Sequence, residues 1–238
     1  MTRLPPASRR PRRTARLPTA GACLCLTAAA SAAAAQDDTQ SWNAVFASGP
    51  VSENSRLLVW FDGHARFRDD ASNLDTTILR PGIGWRASPR LDLWAGYALV
   101  STRRPGPDVE EHRIWQQATY PVVTIAGGRL TGRTRIEQRF RVGGDDTGWR
   151  LRQFLRWSRP IEGGPVSVVL SNETFVGLND TDWGQGDGFD QNRAFAGLAW
   201  QAAPGLRVEG GYMNQQIKGN ARPDRSNDNL VLSVFRTF

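Results

Sequence analysis

Arginine residues at every second position are the feature of this sequence with the clearest chemical potential. Between residues 130 and 157, two stretches alternate by single residues, and one parity carries the charge: Arg133, Arg135, Glu137, Arg139, Arg150, Arg152 and Arg156. The opposite parity is mostly apolar: Leu130, Ile136, Phe140, Trp149, Leu151, Leu155 and Trp157. Guanidinium groups bind carboxylates and phosphates through a planar fork of N–H donors. The pattern therefore predicts ion pairs with acidic side chains or recognition of anions.

The same parity, followed along the chain, gives a set of residues that we expect to share one interior. They are Asp62, His64, Arg66, Arg80, Arg113, Arg133, Arg135, Glu137, Arg139, Arg150, Arg152, Arg156, Glu173 and Arg193. Confined charges pair with one another before they do anything else, so one interpretation is a structural network of salt bridges. The other is an anion-favouring pore or a site for an acidic ligand. With the parity reversed, the arginines would face anionic lipopolysaccharide instead.

Catalytic and metal chemistry have little support in the sequence. The chain contains two histidines, His64 and His112, and no Gly-x-Ser-x-Gly elbow accompanies them. No His-x-x-His pair is present, and the acidic segment 179–190 lacks the closing Glu of an EF-hand. We expect neither enzyme activity nor a cofactor or metal. The alternative is a hydrolase or other modifying enzyme of outer-membrane lipid that uses His112 or His64.

Strands are the elements that would place alternate residues on one face, because side chains switch faces at every residue. Gly, Pro and Asp/Asn clusters divide residues 55–238 into ten predicted strands: 55–67, 75–86, 90–101, 111–122, 128–141, 148–159, 165–177, 190–202, 205–217 and 228–238. A soluble sheet buries its apolar face, whereas a transmembrane barrel turns apolar residues to lipid and charges to the lumen. We favour an all-β, antiparallel, up-and-down transmembrane barrel of ten strands, with twelve as the alternative.

The predicted connections alternate in length. Short ones fall at 87–90, 125–128, 159–165 and 203–205, and longer polar ones fall between the remaining strand pairs, as in outer-membrane barrels with periplasmic turns. Both ends of a ten-stranded chain would then lie in the periplasm. Residues 36–54 are interpreted as a lead-in or a lumen insert, because an eleventh strand would prevent antiparallel closure. Pro81 predicts a weakened ladder within its strand.

Aromatic residues recur next to the short turns. Five of them share the apolar parity of their own strands: Trp85, Tyr120, Trp157, Trp200 and Phe238. Amphipathic rings sit at the headgroup level of a bilayer, so this set predicts an aromatic girdle at a membrane interface. The alternative is a group of core aromatics in a soluble sandwich.

The first 35 residues resemble a secretory signal peptide. Six arginines and no acid precede an Ala-rich apolar run that ends near Ala35. The alternatives are an uncleaved anchor or a disordered tail. The full chain carries 30 basic and 23 acidic residues, and removing the leader leaves 24 against 23. The remaining chain therefore has no basic excess that would indicate nucleic-acid binding. Cys23 and Cys25 also lie in the leader, so the part that follows has no cysteine for a disulfide or a thiolate metal site.

Several segments resemble a bacterial family known as domain of unknown function 2490, a set of predicted outer-membrane β-barrels. The likeness extends over about residues 41–238, and its most specific piece is RTRIEQRF at 133–140. The other pieces are LRPGIG at 79–84, WAGY at 94–97, RIWQQ at 113–117, WRLR at 149–152, SNE at 171–173 and FDQNR at 189–193. The resemblance implies export and an outer-membrane location, and it supplies no reaction, ligand or catalytic residue.

The sequence thus predicts a signal peptide over 1–35, a lead-in or insert over 36–54 and an outer-membrane barrel over 55–238. We expect export through the general secretory route of a Gram-negative bacterium and a structural or narrow porin-like role. The expected partners are outer-membrane lipid, lipopolysaccharide and the barrel-assembly machinery. The C-terminal strand resembles the signal read by that machinery, with Phe238 last, although Arg236 stands where an aromatic is usual. The second alternative is a soluble periplasmic barrel that binds an apolar ligand.

Overall fold

A computed structural model describes residues 39–220 and 223–238 and gives eleven strands over that part of the chain. They are β1 (Thr39–Pro50), β2 (Leu57–Arg68), β3 (Asn73–Ser88), β4 (Leu91–Thr102), β5 (Val109–Ile125), β6 (Gly128–Arg141), β7 (Thr147–Pro160), β8 (Val166–Gly177), β9 (Gly188–Ala203), β10 (Leu206–Ile217) and β11 (Arg225–Thr237). Within these ranges the structure contains no helical segment that could span a bilayer.

The eleven strands form one closed barrel in which every strand pairs with its neighbours in sequence and β1 pairs with β11. All pairs are antiparallel except the last, since β1 and β11 run parallel in a register that places Trp42 opposite Val231 and Phe46 opposite Phe235. The expected counts of ten or twelve strands are therefore wrong. An even number of strands is required only when the first and last strands pair antiparallel, and the parallel pair of β1 and β11 removes that restriction.

The additional strand comes from the segment expected to be a lead-in or lumen insert. Thr39–Pro50 forms β1, a full member of the wall that pairs with β2 along its other edge. Because β1 and β11 are parallel, Thr39 and Thr237 lie at opposite ends of the barrel. The two ends of the predicted ten-strand barrel do lie on one side, because β2 begins beside Pro50, at the end of the barrel where β11 finishes beside Ser48. The predicted signal peptide over 1–35 lies outside the described residues.

The connections define two ends of the barrel. At the end that we call the turn end, the connections are 51–56, 89–90, 126–127, 161–165 and 204–205; at the other, the loop end, they are 69–72, 103–108, 142–146, 178–187 and 218–224. The two-residue turns at 126–127 and 204–205 use left-handed residues, and Gly127 and Gly205 both have φ of 72°. Positive φ is favourable in glycine because it has no Cβ.

Side-chain direction alternates along each strand as the sequence pattern indicates. On β5, Glu111, Arg113 and Trp115 are buried, while Ile114 and Gln116 are exposed. Leu79, Ile83, Leu198 and many other large apolar side chains are more than half exposed on the outside. The wall thus has a charged and aromatic inner face and a largely apolar outer face.

A cluster of three tryptophans, Trp60, Trp94 and Trp115, packs against the inner face of β3 and β4. The Trp115 ring is fully buried and lies so close to Gly82 and Gly96 that a Cβ on either would come within 2.6 Å of it. Glycine at these positions is required because the ring occupies the space of a side chain.

The hydrogen-bond ladder between β3 and β4 is interrupted at Pro81. The paired residues of β3 and β4 skip from Leu79 opposite Leu99 to Gly82 opposite Gly96, and a proline has no N–H to donate. The carbonyl of Tyr97, in the gap, instead accepts a hydrogen bond of 3.1 Å from Trp115 Nε1. The weakened ladder expected at Pro81 is therefore present. The Trp115 indole of β5 donates to the Tyr97 carbonyl, which the proline leaves without a backbone donor.

Gly96→Ala is expected to destabilise the barrel by about 1–3 kcal/mol, the usual cost of forcing extra volume into a packed site. The new Cβ would lie 2.3 Å from the carbonyl oxygen of Pro81 and 2.5 Å from the Trp115 ring. Equilibrium unfolding in urea, followed by tryptophan fluorescence, measures the change. The matched control is Gly164→Ala, whose Cβ would meet nothing within 4 Å and which should shift stability by less than about 0.5 kcal/mol. Equal effects at both positions would contradict the packing argument.

Candidate functional site: the arginine-lined interior

The barrel encloses one large cavity of about 1790 Å³. Residues of both ends line it, among them Pro89 and Arg236 at the turn end and Trp183 and Asn220 at the loop end. The inward parity of the strands supplies the side chains between them. The interior is therefore continuous in its lining from one mouth to the other.

Glu137 is the centre of the ion-pair network inside. Its side chain has no solvent exposure, and Arg150 Nη2 and Arg152 Nη1 donate to its two oxygens at 2.6 and 2.7 Å. The guanidinium groups of Arg113 and Arg135 add contacts at 4.0 and 3.8 Å. Four cations thus surround one carboxylate, as expected where charges are buried and must be paired.

Glu173, on β8, extends this network along the wall from β6 to β9. Arg133 and Arg152 donate to its Oε1 at 2.6 and 2.7 Å, and Arg193 Nη1 lies 4.0 Å from its Oε2. Since Arg152 also binds Glu137, one guanidinium joins the two carboxylates. Chains of this kind fix the rotamers of their members, because each side chain has partners on two sides.

Two further carboxylates hold smaller groups. Glu111 accepts hydrogen bonds from Arg113 at 2.7 Å and from Arg139 at 2.5 Å. Asp62 has no solvent exposure and accepts hydrogen bonds from Trp60 Nε1 at 2.6 Å and Arg80 at 2.7 Å. His64 Nε2 lies 2.7 Å from Asp62 Oδ2.

Positive charge exceeds negative charge in this interior. The arginines directed inward are Arg66, Arg80, Arg113, Arg133, Arg135, Arg139, Arg150, Arg152, Arg156, Arg193 and Arg207, and the carboxylates are Asp62, Glu111, Glu137, Glu173, Asp190 and Glu209. Eleven cations therefore share six anions. The excess of positive charge makes the potential inside the barrel positive.

Arg66 shows this surplus most clearly. It lines the cavity, its guanidinium carbon lies 3.8 Å from the centre of the Trp42 ring, and it has no carboxylate within 4.0 Å among the described residues. Arg193 approaches the same ring at 4.8 Å. Stacking on an aromatic face stabilises a cation without neutralising its charge, so Arg66 remains available to an anion, whereas Arg193 also lies 4.0 Å from Glu173.

The structure brings together all fourteen residues predicted to share the interior. Asp62, Arg135 and Glu137 lie against the wall with no exposed surface, and the other eleven line the cavity. The sequence argument missed Glu111, Asp190, Arg207 and Glu209, which pair with predicted arginines or with each other. The sequence contains a signal for two of them: Glu111 lies two residues before Arg113, and Glu209 lies two residues after Arg207, on the same parity.

Basic residues line the cavity at both mouths, and those at the loop end are Arg104, Arg141, Lys218 and Arg225. At the turn end, the cavity is lined by Arg56, Arg86, Arg90, Arg129 and Arg236, with Asp92 paired to Arg86 at 3.2 Å. At the loop end, the connection 178–187 contacts the connection 142–146. The backbone N–H groups of Asp145 and Asp146 donate to the Asp182 carboxylate at 3.0 and 3.1 Å, which holds the pKa of Asp182 below its usual value.

The two histidines lie in unrelated surroundings. His64 is inside, next to Asp62 and 5.3 Å from the Phe46 ring. His112 points outward, and its Nδ1 forms a hydrogen bond of 2.5 Å with the hydroxyl of Tyr97. Within the described part of the chain, no group of three or more His, Cys, Asp or Glu side chains is arranged to hold a metal ion.

The five aromatics expected to form a girdle all lie at the turn end and share the outward parity. Trp85, Trp200 and Phe238 are about half exposed, at 50%, 52% and 54%. Tyr120 and Trp157 lie flat on the neighbouring strand, where they cover Gly132 and Gly128. The Trp157 indole donates to the carbonyl of Ile125 at 2.9 Å, so its ring is also part of the adjoining turn.

Glu137→Gln tests whether the network stabilises the fold. Removing one charge from a buried ion pair costs about 3–5 kcal/mol, and we expect the lower part of this range because glutamine retains one acceptor for Arg150 or Arg152. The unfolding midpoint in urea should fall accordingly.

Glu162→Gln, in the exposed connection 161–165, is the control and should leave the midpoint unchanged. An unchanged midpoint in the Glu137 variant would mean that the arginines are neutralised by something other than Glu137.

Comparison with known sequences finds two matches. Residues 39–227 match the sequence model of a family described as "Protein of unknown function (DUF2490)". An uncharacterized protein of Methylorubrum extorquens strain AM1 is 36% identical over 223 residues, which cover 92% of this chain and 96% of the relative. The match spans nearly the whole barrel, including β1.

Proposed function

This chain belongs to the DUF2490 family, and we propose that it is an integral outer-membrane β-barrel of a Gram-negative bacterium whose interior admits small anions. The observation that carries the proposal is the polarity of the closed wall. Apolar side chains are exposed outside it and charged side chains are enclosed within it. A protein folded in water buries apolar groups first, whereas this arrangement is the one a bilayer favours.

The proposed location is supported by features that act at the two surfaces of a membrane. The outward aromatics Trp85, Trp200 and Phe238 lie at one end of the wall, where headgroups would meet them. The sequence pattern of residues 1–35 suits export by the general secretory route, and Phe238 suits recognition by the barrel-assembly machinery. Lipid and lipopolysaccharide would then be the molecules in contact with the outer wall.

The proposed anion preference follows from the surplus of guanidinium groups. A cavity lined mostly by cations, with low-dielectric walls around it, concentrates anions and repels cations. The basic residues at the turn end, such as Arg90 and Arg129, would extend this potential to the mouth. The ion pairs of Glu137 and Glu173 hold most of the arginines in place, and Arg66 is the group left to meet a passing or bound anion.

The location is tested by folding state and fractionation. In mild detergent, an intact outer-membrane barrel migrates faster on a gel when unheated than when boiled, because its closed ladder resists unfolding. We expect this shift together with recovery of the protein in the outer-membrane fraction. A soluble periplasmic protein without a mobility change would contradict the proposal and favour a ligand-binding barrel.

Ion selectivity is tested with single channels in planar bilayers. The expected reversal potential in a salt gradient indicates chloride over potassium. Arg66→Gln should lower the chloride preference by roughly fivefold at low salt, since a unit charge about 4 Å from the path contributes about 1 kcal/mol in water-like surroundings. Arg103→Gln, in an exposed loop away from the cavity lining, is the matched control. A preference for cations would overturn the proposal. A folded barrel that carries no current would also overturn it, and would favour a salt-bridge network with a structural role only.

A further inference from the structure

Seven polar side chains interrupt the apolar outer wall on consecutive strands β5 to β9. We call them the polar stripe: Gln116, Thr134, Gln138, Gln153, Asn172, Thr174 and Asn192. Each has the outward parity of its strand and is exposed or half-buried. None of them lines the interior cavity.

The sheet register makes the stripe continuous. Thr134 lies opposite Gln153, Gln153 opposite Thr174, and Thr174 opposite Asn192. A row of register partners follows the hydrogen-bonding direction of a sheet, where adjacent strands are about 4.8 Å apart. These four residues therefore form one line across four strands.

Hydrogen bonds link the members of the stripe. Gln116 and Gln138 exchange amide hydrogen bonds of 3.2 and 3.0 Å, and Asn172 and Asn192 do the same at 3.0 and 3.1 Å. Thr134 donates to Gln153 at 2.7 Å. A reciprocal pair uses one N–H and one oxygen lone pair of each amide, so a second N–H of Gln116, Gln138 and Asn172 has no partner in the described structure.

Apolar residues flank the stripe toward both ends of the barrel. Gln153 is the seventh of the 14 residues of β7 and lies between Leu151 and Leu155 on the outer face, and Asn172 is the seventh of the 12 residues of β8. Other flanking side chains on the same face are Ile114, Ile136, Phe140, Leu170 and Val176. The stripe thus has apolar flanks on β7 and β8, and its register row continues from Asn192 through Gln216 of β10 to Ser226 near the loop end.

The opposite wall lacks such a line. On β2 to β4 the mid-strand outward residues are apolar or aromatic, namely Phe61, Gly63, Leu79, Pro81, Ala95 and Tyr97. On β1, Asn43 is an isolated outward amide, hydrogen-bonded to Ser41 at 3.1 Å. The outside of the barrel therefore has amides on β5 to β9, further polar side chains near the loop end of β10 and β11 (Asn214, Gln216, Ser226 and Asp228), and apolar mid-strand residues on β2 to β4.

We propose that the polar stripe is the contact face of a second copy of this chain within the membrane. The inference rests on the proposed membrane location, because amides facing water would need no partner. In hydrocarbon, an amide N–H without an acceptor is costly, and side chains of this type hold neighbouring segments of membrane proteins together.

A second copy is the partner that this chemistry fits best. Every Asn and Gln side chain offers both a donor and an acceptor, so the same face, turned by a two-fold axis along the membrane normal, meets complementary groups at the same depth. No charged residue belongs to the stripe, so two copies bring no like charges together. A partner selected by charge would instead require acidic or basic side chains on this face.

Single cysteines test the contact directly, in a background with Cys23 and Cys25 changed to serine. Under oxidation in isolated outer membranes, Gln153→Cys or its outward neighbour Leu155→Cys should give disulfide-linked dimers, since residues near a two-fold axis meet their own copies. Leu79→Cys, exposed on the opposite wall, should remain monomeric. Two positions, one in the stripe and one beside it, are used so that a folding defect at one does not decide the outcome.

Removal of the amides gives the second measurement. Gln138→Leu with Asn172→Leu, which removes two of the amides with a free N–H, should weaken dimerisation in mild detergent by about tenfold, since side chains of this type hold neighbouring segments of membrane proteins together. Asn43→Leu, the same change on the other face, should leave the dimer fraction as in the parent protein.

The possible failures are distinguishable. A protein that is heat-modifiable and membrane-inserted but monomeric at every stripe cysteine overturns the dimer face alone. Cross-links to a different protein likewise overturn the choice of a second copy. A protein found soluble in the periplasm overturns the membrane proposal itself, whatever its oligomeric state.

Discussion

Pairing of many arginines with few carboxylates in a closed space is the constraint on which the interior depends. Glu137 and Glu173 are each approached by three or more guanidinium groups, and Arg152 is shared between them. Because an unpaired buried charge is far more costly than a paired one, the position of each carboxylate determines the conformations of its neighbours. The strands must present these side chains at matching heights, which links the network to the sheet register.

The aromatic residues of the interior complement this network. Arg135 stacks 4.6 Å above the Trp115 ring, and Trp115 in turn rests on glycines of β3 and β4 and satisfies the carbonyl of Tyr97. One line of contacts thus connects the broken ladder at Pro81 to the charged centre. Cations without a carboxylate, above all Arg66, are stabilised by stacking, which leaves their charge effective in the cavity.

The closing pair of strands determines the topology. β1 joins β11 in parallel, and the rings of Phe46 and Phe235, which are register partners, stack inside with centroids 4.6 Å apart and planes 6° from parallel. The parallel pair admits an odd number of strands and places the first and last residues of the wall at opposite ends. It also brings Trp42 of β1 between arginines of β2 and β9, so the closing strand contributes to the charged interior.

Single-residue alternation in the sequence was enough to predict strands, the closed β-barrel and the fourteen residues that meet inside it, because side-chain direction in a strand has a period of two. Clusters of Gly, Pro, Asp and Asn predicted the turns, because these residues favour the backbone conformations that turns require. The strand number, the parallel seam and the pairing of each arginine were decided only by the tertiary structure. Alternation gives the face of a residue but not its partner, because register and closure depend on contacts between segments distant in sequence. For the same reason the polar stripe became visible only when register placed Thr134, Gln153, Thr174 and Asn192 side by side.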